Sequence, residues 1–372
     1  MSSCFLYGHD GKLNSFTFAG YMEAGFYMQH CLELASRGSG HTAPNPMVGA
    51  VLVYEDRIIG EGWHRQYGQA HAEVNCIASV KENDTHLIPL STLYVTLEPC
   101  AHTGKTPPCA DLIIRHKIPK VAIGCRDPFP EVDGKGIERL KAAGVEVIVG
   151  VLERECRELN KRFFTFHTKH RPYIILKWAE TQDGRISAGN GQRLLISNEY
   201  SNRLVHQWRS EEAAILVGTN TALLDDPSLT TRLWPGPSPV RLVIDMELRL
   251  PSSLQLFNGE VRTIVFNTRK HQEEGNLLYY QLTHDTSIVH QVLNALYQLQ
   301  LISVLVEGGA QLLQSFIDEG LWDEARVISN KKTDKPREIT GKGLPAPRLT
   351  NSIKTGEINI LTDQLNIYSF AG

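Results

Sequence analysis

The sequence predicts a two-domain α/β protein, and three observations carry that reading. At 372 residues the chain is longer than one ordinary hydrophobic core. Short apolar runs alternate with segments of helical periodicity, the pattern of layered α/β units. All seven cysteines (Cys4, Cys31, Cys76, Cys100, Cys109, Cys125 and Cys156) fall in the first 156 residues, so the two halves differ in chemistry. Hydrophobic residues make up 42% and charged ones 21%, which allows sizeable cores and excludes a disordered or fibrous chain. A formal charge of −3 gives no basic field for nucleic acid or an anionic membrane. No apolar run approaches the roughly eighteen residues of a membrane span, and the opening MSSCFLYGHDGKLNSFTFAGYM lacks the basic start of an export signal. A soluble cytoplasmic protein with reduced thiols is expected, because an odd cysteine count in a long chain is a poor disulfide framework.

The elements follow in order. After an N-terminal extension, 1–21, the first domain is expected over 22–150. Its first helix begins near Glu23 and stops at the glycine after GFYMQHCLELASR. MVGAVLVY and IIGEGW form a hairpin around the turn YEDR. Helices are expected at 71–81, 110–116 and 136–143, and strands at 92–97, 121–124 and 145–149. Residues 151–171 are dense in charge and read as a short helical connector. The second domain, 172–372, restarts with a strand at 172–178 and a helix at 197–209 capped by Ser197 or Asn198. Strands at 214–218, 240–245, 263–267 and 303–307, helices at 287–299 and 310–319, and terminal strands in INILTDQLNIYSF complete it.

The first domain carries the stronger chemistry. His71-Ala72-Glu73 opens a helix, Pro99-Cys100 follows a strand, and Cys109 begins the next helix nine residues on. One imidazole and two thiolates fill three corners of a tetrahedral zinc site and leave the fourth for water, as catalytic zinc requires. Helix N-termini favour the thiolate form. Glu73 can reach the open position without ligating and carry a proton from water to a leaving amine. Each piece alone is common. Together they match the H-x-E…P-C-x-x-C signature of zinc nucleobase deaminases, with a longer insertion between the cysteines. A structural zinc would need a fourth protein ligand, which the neighbouring sequence does not offer. The other cysteines, with His30, His86 and His116, read as packing residues. In the second domain, Glu307-Gly308-Gly309-Ala310 either cradles a phosphate at a helix start or is a tight turn. Asp225-Asp226-Pro227 with Arg232 reads as a capped turn.

The run Glu98-Pro99-Cys100-Ala101-His102-Thr103-Gly104-Lys105-Thr106-Pro107-Pro108-Cys109 resembles that of the bifunctional riboflavin-biosynthesis deaminase–reductases. So do Pro44-Asn45-Pro46-Met47-Val48-Gly49, Gly62-Trp63-His64 and Asp127-Pro128. In the second half the likeness lies in Lys177-Trp178-Ala179, Asp183-Gly184-Arg185-Ile186, Leu224 through Arg232, and Val306-Glu307-Gly308-Gly309. It runs from about Met22 nearly to the C-terminus. The resemblance implies a cytidine-deaminase-like three-layer domain followed by a dihydrofolate-reductase-like domain. It also implies two reactions. One is zinc-dependent hydrolytic deamination of 2,5-diamino-6-(5-phosphoribosylamino)pyrimidin-4(3H)-one. The other is NADPH reduction of 5-amino-6-(5-phosphoribosylamino)uracil to the ribitylamino product. By position, Asn45, His64, His102, Lys105 and Asp127 would hold the deaminase substrate. Ala179, Leu195, Thr221, Asp225, Gly309, Ala310, Gln311 and Leu312 would hold NADPH. Arg209, Leu229, Arg232 and Glu307 would hold the reductase substrate, with Lys177 at the reacting ribose. The chain departs from the family at Arg193-Leu194-Leu195, usually Ser-x-Trp, at Met246, usually serine, and over 330–348. A nucleic-acid editing deaminase with a C-terminal binding module is the alternative of another class. The acidic balance and the lack of a basic aromatic stripe count against it. The expected partner is a small phosphorylated pyrimidine, with no nucleic acid or membrane; a homo-oligomer is left open.

Overall fold

The structure, a computed structural model, describes residues 18–101, 107–187, 194–331 and 343–372. The chain divides into two compact units, one ending at Thr168 and the other beginning at Lys169. Unit one contains α1 (Phe18–Ser36), β1 (Gly49–Tyr54), β2 (Arg57–Trp63), α2 (Ala72–Ala78), β3 (Thr92–Leu97), α3 (Cys109–Arg115), β4 (Lys120–Cys125), α4 (Lys135–Ala142), β5 (Glu146–Val149) and α5 (Glu153–Leu159). α6 (Lys161–Lys169) runs across the boundary. The strand order is β2-β1-β3-β4-β5, with β1 antiparallel to both neighbours and β3, β4 and β5 parallel.

Alternation along β1 explains the layers. Ala50 and Leu52 face the core that holds Ala72 of α2, Ile113 of α3 and Leu140 of α4, whereas Val51 and Val53 face Met28 and Cys31 of α1. The sheet is therefore covered on both sides, giving three layers. α1 buries Ala24, Tyr27, Met28, Cys31, Leu32 and Ala35, a helical stripe that starts from a helix begun at Phe18 rather than near Glu23. Most of the expected extension, 1–17, lies outside the described residues. The segment 151–171, read as a connector, is largely built into this unit. Val151, Cys156, Phe163 and Phe164 are buried in the same core as α1, so their apolar spacing makes α5 and α6 part of a layer.

Unit two contains β6 (Tyr173–Glu180), α7 (Glu199–Glu211), β7 (Ala214–Gly218), α8 (Thr219–Asp225), β8 (Val240–Ile244), β9 (Thr263–Asn267), β10 (Gln272–Glu274), β11 (Leu277–Gln281), α9 (Ile288–Gln298), β12 (Ser303–Val306), α10 (Ala310–Asp318), β13 (Glu324–Asn330), β14 (Ser352–Ile360) and β15 (Asp363–Phe370). Its sheet has the order β10-β11-β9-β8-β7-β12-β6-β13-β15-β14. The stretch from β11 to β13 is parallel throughout, and antiparallel strands flank it. Strands buried on both faces read as continuous apolar runs, as in Tyr173 to Leu176. Ile174 and Leu176 pack with Val292 of α9 and Phe316 of α10; Ile175 packs with Trp208 of α7 and Ala222 of α8. Asn198, one of the two expected caps, accepts the Ser201 N–H at 2.9 Å. α8, β10, β11 and β13 were not expected: TNTALLD is too short to show a period, the glutamates of QEE mask a strand, and Glu324 and Arg326 interrupt the apolar run of EARVISN. Among the described residues no helix is long and apolar enough to cross a membrane.

The contact of α1 with β1 is made backbone to backbone. A Cβ on Gly49 would lie 1.9 Å from the Cys31 carbonyl oxygen and 2.9 Å from the Ala35 nitrogen. No flexible side chain is there to yield. Gly49→Ala is therefore expected to destabilise unit one by about 1–3 kcal/mol. Urea unfolding followed by circular dichroism checks this, and an unchanged midpoint would mean that α1 does not press on β1.

Candidate active sites

In unit one the ligand candidates gather where helices begin beside the sheet. His71 immediately precedes α2 with extended backbone (φ −71°, ψ 167°), Cys109 is the first residue of α3, and Cys100 lies just beyond β3. His71 Nδ1 is 3.6 Å from Cys100 Sγ and 3.4 Å from Cys109 Sγ, and the three donor atoms lie within 4.8 Å of one another. A tetrahedral zinc with Zn–S near 2.3 Å and Zn–N near 2.05 Å separates sulfur from nitrogen by about 3.6 Å. The donor set and its spacing fit zinc. The Cys109 N–H also donates to Cys100 Sγ at 3.3 Å. The Cys109 thiol and then His71 hold the Cys100 thiol well below its ordinary range, against the effect of burial.

Glu73 sits in the first turn of α2 and is only 3% exposed. Burial, and then the charge of Cys100, raise its carboxyl above the ordinary range, while His71 opposes them. Such a group suits proton transfer. His64 stands beside His71, and Asn45 beside His64. The His64 ring meets His71 edge-on with centroids 5.5 Å apart. Its Nδ1 lies 3.1 Å from the Ala70 carbonyl and its Nε2 3.3 Å from Asn45 Nδ2. This network assigns the proton to Nδ1 and lets Asn45 donate to Nε2. Burial lowers the His64 pKa, so the ring is neutral. Asn160, which no sequence signal marked, fixes the Asn45 loop: its Oδ1 accepts from the Met47 N–H and its Nδ2 donates to the Met47 carbonyl, both at 2.8 Å. Asp127 is 6% exposed, accepts the Phe129 N–H at 2.8 Å, and is pushed up to about 7 by burial, with Glu98 and Cys100 adding to the shift. His102 and Lys105 lie outside the described residues.

In unit two the residues singled out from the sequence share a cleft of about 1800 Å³. Ala179, Leu195, Thr221, Asp225 and residues 309–312 line it together with Lys177, Arg209, Leu229, Arg232 and Glu307. Glu307 follows β12. Arg209, in the last turn of α7, donates Nε and Nη2 to its two carboxylate oxygens at 2.8 Å each, and Lys177 Nζ lies 3.7 Å away. Burial alone would raise the Glu307 pKa, but Arg209 and Lys177 overcome it and hold the carboxyl at about 2. Arg232 Nη1 donates to Ser228 Oγ and, at 2.8 Å, to Thr230 Oγ1. Its backbone N–H donates to His206 Nδ1 at 2.9 Å. Burial, Arg209 and Arg232 push His206 down to about 4, so this ring among cations stays neutral; no sequence signal marked it. Gly309 is the N-cap of α10, where a Cβ would meet Thr221 Oγ1 at 3.1 Å, and the Gly218 N–H donates to the Gly308 carbonyl at 2.9 Å. Because β7 and β12 are neighbours, the starts of α8 and α10 open side by side. The first N–H groups of α10 have no acceptor within the helix and can receive a phosphate.

Known proteins match both halves. Residues 22–125 match the cytidine and deoxycytidylate deaminase zinc-binding region, and residues 172–333 match the RibD C-terminal domain. The chain is 42% identical over 323 residues to the riboflavin biosynthesis protein RibD of Aquifex aeolicus, covering 86% of this chain and 88% of that one. It is 34% identical over 324 residues to RibD of Escherichia coli, covering 82% and 87%. Among solved structures, a diaminohydroxyphosphoribosylaminopyrimidine deaminase/5-amino-6-(5-phosphoribosylamino)uracil reductase from Thermotoga maritima has a TM-score of 0.84 at 36% identity, covering 94% of this chain and 99% of its own. Acinetobacter baumannii RibD has a TM-score of 0.85 at 31% identity, with the same coverage. With likeness of this extent running through both the zinc-ligand half and the cleft half, the chain belongs to the RibD family of bifunctional deaminase–reductases in riboflavin biosynthesis.

Proposed function

We propose that unit one deaminates 2,5-diamino-6-(5-phosphoribosylamino)pyrimidin-4(3H)-one and that unit two reduces the product, 5-amino-6-(5-phosphoribosylamino)uracil, with NADPH. The observation that carries the reading is the convergence of His71, Cys100 and Cys109 beside the buried carboxyl of Glu73. The activity named for the Thermotoga maritima relative supports it. An editing deaminase is not favoured, because the second half matches a reductase domain rather than a nucleic-acid module. A reducing, cytoplasmic setting suits ligands that must stay thiolates.

His71, Cys100 and Cys109 would hold zinc, which supplies the acidity that makes water a nucleophile at neutral pH. Water's oxygen joins the pyrimidine C2 and the 2-amino group leaves as ammonia. Glu73 takes the proton from the water and returns it to the departing nitrogen. Asn45 donates its amide N–H to His64, which leaves its Oδ1 to accept from the ring. In unit two a dihydronicotinamide, when bound, supplies a hydride to the ribosyl C1′. Lys177 holds a proton at Nζ for the ribose ring oxygen freed as the sugar opens. Glu307 anchors Lys177 and Arg209 at the strand ends, and Arg209 with Arg232 offers guanidinium donors to the substrate phosphate.

Glu73→Gln should retain one zinc per chain by elemental analysis while deamination falls on the order of 10²–10⁴-fold, since an amide cannot shuttle protons. Loss of zinc in this variant would make Glu73 a ligand instead. Arg232→Ala should lower kcat/KM for reduction roughly ten- to hundredfold, the cost of one charge-assisted contact, and leave deamination near wild type. Equal slowing of both half-reactions would defeat the assignment of Arg232 to the reductase cleft.

A further inference from the structure

We infer that Glu98 is a positioning residue for deamination and that α4, which supplies no ligand, sets the spacing of the two thiolates through it. This rests on the reading of unit one as a zinc deaminase. Glu98 is 4% exposed, and its carboxylate accepts four backbone N–H groups from one segment. Oε2 takes Asp127 at 3.3 Å and Gly134 at 3.0 Å; Oε1 takes Gly136 at 3.0 Å and Ile137 at 3.2 Å. Capping a helix start uses one or two such bonds. Here the side chain gathers the whole turn between β4 and α4 onto the residue two before Cys100.

The contact is tight and has a second end. A Cβ on Gly136 would lie 1.9 Å from the Pro99 carbonyl oxygen, so the first turn of α4 rests on the main chain that leads into Cys100. One turn later, Arg139 Nη1 donates to the Ala101 carbonyl at 3.1 Å. The same guanidinium pairs with both carboxylate oxygens of Asp111 on α3, at 2.7 and 2.9 Å. α4 thus holds the chain on both sides of Cys100 and also the helix that Cys109 begins. Metal–ligand bonds tolerate only a few tenths of an ångström, and partners that orient ligands typically contribute about ten- to hundredfold in metal affinity or activity. Gln at position 98 keeps the shape but turns one acceptor oxygen into a donor facing two N–H groups.

The test uses the full chain loaded with cobalt(II), whose absorption bands report thiolate number and geometry. Glu98→Gln should alter those bands and lower kcat for deamination about ten- to hundredfold with KM within about threefold, while NADPH-dependent reduction stays within about twofold. Arg139→Ala, at a half-exposed position, should shift the bands in the same direction by less, and it decides the matter if the Gln variant does not fold. Wild-type bands and deamination rates in both variants, or in Arg139→Ala alone where the Gln variant does not fold, would overturn the inference. A wild-type chain that neither holds a metal nor deaminates would instead overturn the reading of unit one.

Discussion

In a parallel pair of strands each crossover returns to the starting edge, so the loops that leave the carboxyl ends of neighbouring strands are forced side by side. Each unit places its site there. In unit one β3 runs into Glu98-Pro99-Cys100 and its parallel neighbour β4 runs into Asp127. In unit two Lys177 lies near the end of β6, Gly218 closes β7 and Glu307 follows β12, and these strands are adjacent in the order β7-β12-β6. Groups scattered along the sequence become neighbours because the sheet leaves them no other arrangement. The helices that follow then present their N-termini at the same edge, as Cys109 and Gly309 do; His71 joins them because β2, like β3, runs antiparallel to β1 and so ends at that edge too.

The two sites handle burial of charge differently. In unit two a carboxylate that burial would neutralise is kept ionised by a bidentate guanidinium and an ammonium, so Glu307 stays charged even in acid. Lys177 and Arg209 both face Glu307 there, and their charged donors hold it in one place. His206 adds no charge, since burial and then Arg209 and Arg232 keep it neutral. In unit one no arginine or lysine offsets the thiols among the described contacts of Cys100 and Cys109. The His71 imidazole faces both, the Cys109 backbone N–H faces Cys100, and Glu73 faces Cys109. Two thiols and an imidazole whose donor atoms lie within 4.8 Å of one another form a site that gains by exchanging protons for a dication.

What the sequence disclosed followed from distance along the chain. Glu73 is two residues from His71 and Cys109 is nine from Cys100, so local spacing carried the zinc chemistry. The Arg209–Glu307 pair spans 98 residues and the Asn160–Met47 pair 113, and no periodicity links such positions. The cleft in unit two was therefore legible only through family resemblance. The layers of unit one were legible because β1 alternates cleanly between two cores, whereas α5 and α6 looked like a connector because their charges outnumber the four apolar residues that bury them. Glu98 was visible as part of a motif but not as the acceptor of four N–H groups, because those donors follow it by 29 to 39 residues.

Of the departures from the family pattern, Met246 and Leu195 can be placed, whereas Arg193 and residues 332–342 lie outside the described residues. At Met246 the carbonyl receives both the N–H and the hydroxyl of Thr268, at 2.9 and 2.8 Å, so the loop after β8 is pinned whatever the side chain. The thioether packs against the core beneath α9 and α10. Leu195 is 67% exposed on the cleft wall. Leucine presents apolar area there but not the flat aromatic face that tryptophan would. Lys177, Arg209 and Glu307 hold one another by ion pairs that involve neither Leu195 nor Met246, so their arrangement does not depend on either altered position.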